Sequence, residues 1–416
     1  MRKLLILCAV IVAGEMVFAL PFHTIRFFRP TFLEVFDLSN TELGDLFAVY
    51  GIVAMLAYYP GGALADRFPA RNLIVASLVA TAAGGFYLAT IPGRAGLALL
   101  YAFWGMSTVF LLWGAMIRAT RDYGGERTQG IAFGVLEAGR GLVAVLVAAA
   151  AVAVLADLLP AAVDTATDAE RTAAFRYVLT YYASVTLLAG VIAWLLIPAD
   201  SPATGIRRNP FAGMLTVARR PLLWAQAGVI VCAYSTFKGL DNYALYAAEV
   251  LGKDEVASAA LIRDASWLRP LGAIAAGLIA DRLRAGPVIL AMFAVLVVVY
   301  GLLAQASGGS AILYFNLFAS FLFVFALRGV YFALLRENHT PPALTGAAVG
   351  LVSFVGFTPE FFFAPITGRI LDANPGLVGH QNYFWFLFAM ALTGVVVTAT
   401  MLWLNARRAP EPARVL

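Results

Sequence analysis

Long apolar runs separated by short polar stretches recur along the whole chain. One series begins near Leu4, Leu43, Asn72, Gly96, Gln129 and Ala174, and a second near Leu222, Val256, Pro287, Ala311, Gly346 and Tyr383. A hydrocarbon layer about 30 Å thick is crossed by about 20 apolar residues of helix, so the pattern predicts twelve transmembrane helices. The alternation of a transmembrane barrel is absent. A Pro- and Arg-rich stretch separates the two series. It predicts an N-terminal six-helix bundle over 1–197, a cytoplasmic linker over 198–220 and a C-terminal six-helix bundle over 221–416. The first run reads as a retained span rather than a cleaved leader, because Glu15 falls where small cleavage-site residues would sit.

Composition narrows the class. Of the 416 residues 62% are hydrophobic and 13% charged, with mean hydropathy +0.84, whereas soluble domains hold about 45–50% apolar and about 25% charged residues. A soluble enzyme and a disordered tail are excluded. The net charge of +5, from 29 Lys+Arg against 24 Asp+Glu, is too sparse for a surface that tracks nucleic acid. Basic residues crowd alternate loops (Arg2, Lys3, Arg67, Arg71, Arg118, Arg121, Arg127, Arg207, Arg208, Arg219, Arg220, Arg282, Arg284, Arg336, Arg407, Arg408 and Arg414, 17 in all) and thin out in the others (Arg26, Arg29, Arg94, Arg171, Arg176, Lys253 and Arg369, seven). That asymmetry predicts a multi-pass protein with both termini cytoplasmic. Abundant Ala and Arg with little Lys points to a bacterial inner membrane. Cys8 and Cys232 lie inside apolar runs, and His23, His339 and His380 are far apart, so no disulfide, metal site or cofactor is expected. Without a G-x-x-x-x-G-K-[ST] loop the chain is not an ATP-driven pump.

The two series repeat. Gly62-Ala-Leu-Ala-Asp66-Arg67 recurs as Gly277-Leu-Ile-Ala-Asp281-Arg282, an offset of 215 residues; Gly114 matches Gly329 and Arg121 matches Arg336 at the same offset. One residue further on, Gly130-x-x-x-Gly134 matches Gly346-x-x-x-Gly350. The chain is therefore a duplicated six-helix unit. A G-x-x-x-D-R loop after the second helix of each half resembles the signature of the major facilitator superfamily, whose halves are parallel six-helix repeats. The motif covers about ten residues per half and the topology nearly the whole chain. The family's following Gly and paired basic residues are reduced here to Pro69 and Arg71 in the first copy and Arg284 and Gly286 in the second.

The resemblance implies an all-α membrane protein with twelve transmembrane helices in two pseudo-symmetric bundles. It also implies gating roles for Gly62, Asp66, Arg67, Gly277, Asp281 and Arg282. In physical terms the glycines allow a close helix approach, and the carboxylates suit a neighbouring helix N-terminus. Arg328, toward the cytoplasmic end of its helix, is a further gate candidate.

The residues that carry chemistry are the charges inside apolar runs: Glu15, Glu137, Arg140, Lys238, Asp241, Arg263, Asp264, Arg269, Arg328 and Glu360. Each costs roughly 2.5–3.5 kcal/mol at a lipid-facing helix centre, so they must pair, face water or be neutral. Glu137–Arg140 and Lys238–Asp241 are spaced three apart, on one helix face, and serve equally as structural pairs. Arg263 either meets the solute or snorkels outward. Arg140, Arg269, Glu15 and Glu360 fall near mid-depth, on the four helices that border the central cavity in the family resembled. The expected site joins them in one chamber. Arg140, Arg269, Lys238 and Arg263 bind an anionic solute, because a desolvated guanidinium matches carboxylate or phosphate. Glu360, Glu15, Glu137 and Asp241 are candidates for carrying a proton; Glu360 either does so or neutralises Arg140 or Arg269. Trp104, Trp113, Tyr234, Tyr243 and Phe325 are candidate wall residues.

The expected function is secondary active transport of a small organic anion, coupled to protons, by a monomer in the lipid bilayer. The segments around Glu137 and Glu360 resemble an organic-anion and nitrate-porter-like group without the Gly/Asn-rich signature of true nitrate porters. Two other readings stay open: a proton-driven exporter of amphipathic or cationic compounds, and a non-transporting receptor or scaffold on the same fold.

Overall fold

The computed structural model describes residues 2–124, 129–199, 214–305, 311–341 and 344–407. Among them no strand occurs, and the chain runs through twelve helical rods. The first half comprises α1 (2–35), α2 (Asn40–Arg67), α3 (Ala70–Leu88), α4 (94–124), α5 (Gln129–Leu158) and α6 (Asp168–Leu196). The second comprises α7 (221–249), α8 (255–283), α9 (Ala285–Gln305), α10 (311–337), α11 (345–373) and α12 (Leu377–Ala406). Ten rods are each long and apolar enough to cross a membrane. The other two, α7 and α8, are interrupted at Leu240–Asn242 and at Trp267 and carry charges near the break. Residues 200–213 of the expected linker lie outside the described residues, as do Arg127, Arg207 and Arg208.

The interruptions have local causes. Proline lacks an N–H and crowds the carbonyl four residues back. Pro21 lies in a π-helical turn of α1 (Ala19–His23), Pro270 follows the break in α8, and Pro359 opens the second half of α11. The π turn rotates the rest of α1, so that Phe22 and Arg26 meet Lys238 and Asp241 of the second half, while His23 turns back to Glu15.

Within each half the rods pack through their apolar faces: α3 on α6 and α1 on α5 and α6 in the first, α9 and α7 on α12 and α8 on α10 in the second. Between halves α2 lies along α11, α5 along α8, and α1 against α7 and α8.

The two faces of the molecule differ. On the distal face, away from Arg2 and Arg407, Asp372 of α11 accepts from the backbone N–H groups of Asn40 (3.1 Å) and Thr41 (2.7 Å) at the start of α2, and from Asn40 Nδ2 (3.1 Å). A carboxylate at a helix N-terminus satisfies orphan donors and complements the helix dipole. Arg369 pairs with Asp45 (2.9 Å) and Arg171 with Glu255 (2.7 Å), both across the halves. Gly51 lets α11 approach so closely that a Cβ there would sit 2.6 Å from the Glu360 carbonyl oxygen. On the terminal half of the same two rods Gly62 and Gly350 face open space.

Among the described residues the expected gate motifs form no latch on the terminal face here. Gly62 and Gly277 make no close approach; the tight crossings fall instead at the repeated pair Gly114 and Gly329, against Ala65 and Ala273. Arg67 and Arg282 are exposed and have no ion-pair partner among the described residues. Asp281 reaches only Arg336, at 3.8 Å between two exposed side chains. The side chains of Asp66, Arg121, Gly130, Gly134 and Gly346 lie outside the described set.

Candidate functional site

Two buried ion clusters flank the π turn of α1. The first centres on Glu15. Its Oε2 accepts from Arg140 Nε of α5 at 3.0 Å, and its two oxygens accept from Arg269 Nη1 and Nη2 of α8 at 2.5 and 3.1 Å. His23 Nε2 lies 3.2 Å from Glu15 Oε1, and Arg140 Nη1 also donates to Glu137 Oε1 at 2.6 Å. Gly141 makes the α8 connection possible, because a Cβ there would sit 3.0 Å from Arg269 Cγ and obstruct its path. Two guanidiniums balance two carboxylates, and charges paired and hydrogen-bonded on both sides are the form in which a low-dielectric interior tolerates them.

The second cluster lies on the other side of the π turn. Arg26 Nε of α1 donates to Asp241 Oδ1 of α7 at 2.7 Å, and Lys238 Nζ lies 3.2 Å from Asp241 Oδ2 and 3.4 Å from Glu360 Oε1 of α11. Tyr234 donates its hydroxyl to Glu360 Oε2 at 2.5 Å. Lys238 also sits over the rings of Phe22 and Phe47, at 4.4 and 4.6 Å. Charges again balance in number, but Glu360 has a single ammonium partner at the long end of the range where Glu15 has two guanidiniums.

An aromatic wall joins the clusters. Phe18 of α1 meets Trp113 of α4 at 6.4 Å between ring centroids, Trp113 meets Phe357 of α11 at 6.4 Å, and Phe357 meets Tyr234 at 4.9 Å. Tyr234, Phe237 and Phe325 continue it through α7 and α10. Arg328 of α10 lies on this wall, 3.8 Å from the Phe237 ring and 5.8 Å from Tyr234. It is half-buried, and among the described residues no carboxylate lies within ion-pair distance of it. The charges of the clusters and Arg328 sum to one net positive charge, and among the described residues the Arg328 guanidinium, stacked on aromatics, has no hydrogen-bond or ion-pair partner at contact distance.

A sequence profile of the Major Facilitator Superfamily matches residues 11–364. The chain belongs to this superfamily. It is 26% identical over 421 residues to inner membrane protein YihN of Escherichia coli, with 98% of this chain and 96% of that one covered. It is 27% identical over 387 residues to inner membrane protein YqcE of the same organism, covering 90% and 88%. Among solved structures a point mutant of the nucleoside transporter NupG superposes with a TM-score of 0.74 at 10% identity, covering 96% of this chain and all of that one. A bacterial homologue of the human lysosomal transporter Spinster, in an inward-facing and unoccupied conformation, gives 0.72 at 13% identity with 99% of both chains covered. The protein is thus a multi-pass inner-membrane transporter of the superfamily fold, not an enzyme.

Against this fold the sequence expectations separate. Arg140, Arg269 and Glu15 come together, with Glu137 beside them. Glu360 does not join them: it faces α7 and shares Lys238 with Asp241. Of the side chains expected to hold an anion, Arg140, Arg269 and Lys238 are already engaged by carboxylates. Arg263 leaves the site altogether, since it pairs with the exposed Asp264 at the rim (2.8 Å). Arg328 stands in the wall rather than in a terminal gate. Trp113, Tyr234 and Phe325 line the wall, whereas Trp104 and Tyr243 are fully buried within their own bundles, bonded to Thr81 and Ser320. Arg26 and His23 are site residues that hydropathy assigned to the rim. The signal that places them inside is Pro21, which introduces the π turn.

Proposed function

We propose that this transporter carries a small organic anion across the inner membrane by alternating access, coupled to protons. The observation that carries this reading is Arg328, a guanidinium stacked on Phe237 with no carboxylate partner among the described residues, beside clusters whose other charges cancel. Such a group offers paired N–H donors to a carboxylate or phosphate, and the aromatic wall offers apolar area to the body of the solute. Glu360 is our assignment for the proton-carrying group. One ammonium and one phenol hold it, and it sits between the wall and the α2–α11 contact that must open on the distal side. Protonation of Glu360 would release Lys238 to Asp241 alone and loosen α11 from α7. The crowding of basic residues in the loops on the terminal side supports a cytoplasmic terminal face, so the latched distal face and the open Gly62 and Gly350 fit a cytoplasm-open state.

A thermal-shift screen of the purified protein tests the reading. Organic carboxylates or phosphate esters should raise the melting temperature, and Arg328→Ala should abolish the shift. Stabilisation by amphipathic cations alone would replace the anion with the export reading, in which Glu15 and Glu360 bind the solute.

A further inference from the structure

We infer a second, separate anion site at the terminal face: a phosphoryl-binding pocket formed by Arg284, Arg336 and His339 where α8, α9 and α10 end or begin. The pocket is a half-open surface depression of about 330 Å³, lined by these three residues together with Ala285, Ala333 and Glu337. Its floor is neutralised. Glu337 accepts from the backbone N–H of Gly286 at 2.8 Å and pairs with Arg284 at 3.0 Å. Its side chain is 9% exposed, while those of Arg284 and Arg336 are 69% and 83% exposed. A guanidinium has five donors, so the pair to Glu337 leaves most of Arg284 facing outward.

The backbone indicates that this arrangement is built. Arg284 has φ 71° and ψ 146°, and His339 has φ 51°. Non-glycine residues in these regions cost of order 1–3 kcal/mol and persist where surrounding contacts over-determine them, commonly at ligand sites. The duplicated chain supplies a control. The repeat partner of Arg284 is Pro69, which has a relaxed φ of −56° and ψ of 133° in a connection one residue longer, Phe68–Pro69 against Arg284 alone. The longer first-copy connection turns without a positive φ. In the second copy the strain goes with a guanidinium that reaches over Glu337.

The pocket lies at headgroup depth. Asn405 of α12 donates to the Glu337 carbonyl at 3.1 Å, and two residues earlier on the same helix the half-exposed Trp403 carries Arg407 stacked at 3.7 Å. An exposed Trp with a cation on it is a membrane–water interface anchor. Below the pocket Leu278 and Leu283 present 63% and 64% of their surface outward, toward acyl chains. Guanidiniums at a helix-end pocket above an apolar surface match the phosphoryl group of an anionic lipid headgroup; a free phosphate ester shares that chemistry.

The test uses the full-length protein in nonionic detergent, with bound molecules counted by native mass spectrometry. Dioleoylphosphatidylglycerol, dioleoylphosphatidylcholine and glycerol 3-phosphate are the probes. The variants are Arg336→Ala and Arg284→Gly, the second of which removes the guanidinium while relieving the backbone strain, so a folding defect cannot account for its loss. The expected result is one phosphatidylglycerol retained by the wild type, held about tenfold more weakly by either variant, with phosphatidylcholine not retained. Variant-sensitive binding of glycerol 3-phosphate and not of the lipid supports the site and assigns it to a soluble ester. Equal binding of every probe by wild type and variants overturns it.

Discussion

The Glu15 and Glu360 clusters contain the same kinds of residue, yet one is saturated and the other is not. Glu15 is held by two guanidiniums from α5 and α8 and by His23, and it ties the first half of the molecule to the second near mid-depth. Glu360 holds one ammonium at 3.4 Å and one hydroxyl, next to an arginine with no carboxylate partner among the described residues. A saturated network suits a pivot that stays closed while the faces alternate. An unsaturated one can exchange partners with a solute or a proton. Charge count alone does not distinguish the two, because function follows from which donors are left over.

The largest expected effect breaks the saturated side. Glu15→Ala leaves Arg140 and Arg269 buried without their shared partner, and uncompensated buried charge costs about 3–5 kcal/mol; thermal unfolding in detergent should show a correspondingly large drop. Unchanged stability would remove the pivot role. On the unsaturated side Arg328→Ala should lower anion uptake by about 10- to 100-fold, the value of one charge-assisted contact, with unfolding little altered. Glu360→Gln sharpens the contrast further: solute exchange should persist in proteoliposomes while accumulation driven by a pH gradient disappears. Accumulation at wild-type level would mean that another group carries the proton.

A smaller effect is expected at the distal latch. Asp372→Asn removes a charged cap worth about 1 kcal/mol, so hydrogen exchange at the Asn40 and Thr41 amides should quicken about fivefold. The α6 cap formed by Thr167 and Glu170 provides the unaffected reference. Smallest of all, Arg263→Ala should change stability by less than about 0.5 kcal/mol, and leave flux alone, as for other partly exposed surface pairs.

How much of this was legible in the sequence depends on the kind of information each feature needs. The spans and the duplication follow from hydropathy and from the 215-residue offset, because lipid imposes length and apolarity on every crossing segment. Depth was legible too: Glu15, Arg140 and Arg269 share a level because helix rise is constant. Facing was not. Glu15 meets Arg269 across 254 positions, and neither helix shows which way it turns until its partner is in place. The π turn at Pro21 and the breaks near Pro270 and Pro359 rotate the segments after them, which sends Arg26 inward and turns Glu360 toward Lys238. The gate was sought at the repeated G-x-x-x-D-R loops, whose motif is conspicuous. The latch in this state uses Asp372, which matches Asp157 at the repeat offset, with Asn40 and Arg369, which have no like residue there.

Anion-specific flux through Arg328 decides whether the unsaturated cluster is the transport site. The direct measurement is uptake of a stabilising carboxylate or phosphate ester into proteoliposomes under an inward proton gradient, comparing wild type, Arg328→Ala and Arg328→Lys. Strong uptake is expected from wild type, partial uptake from the lysine variant, which keeps the charge but not the paired donors, and little uptake from the alanine variant. Equal anion uptake by all three would contradict that assignment.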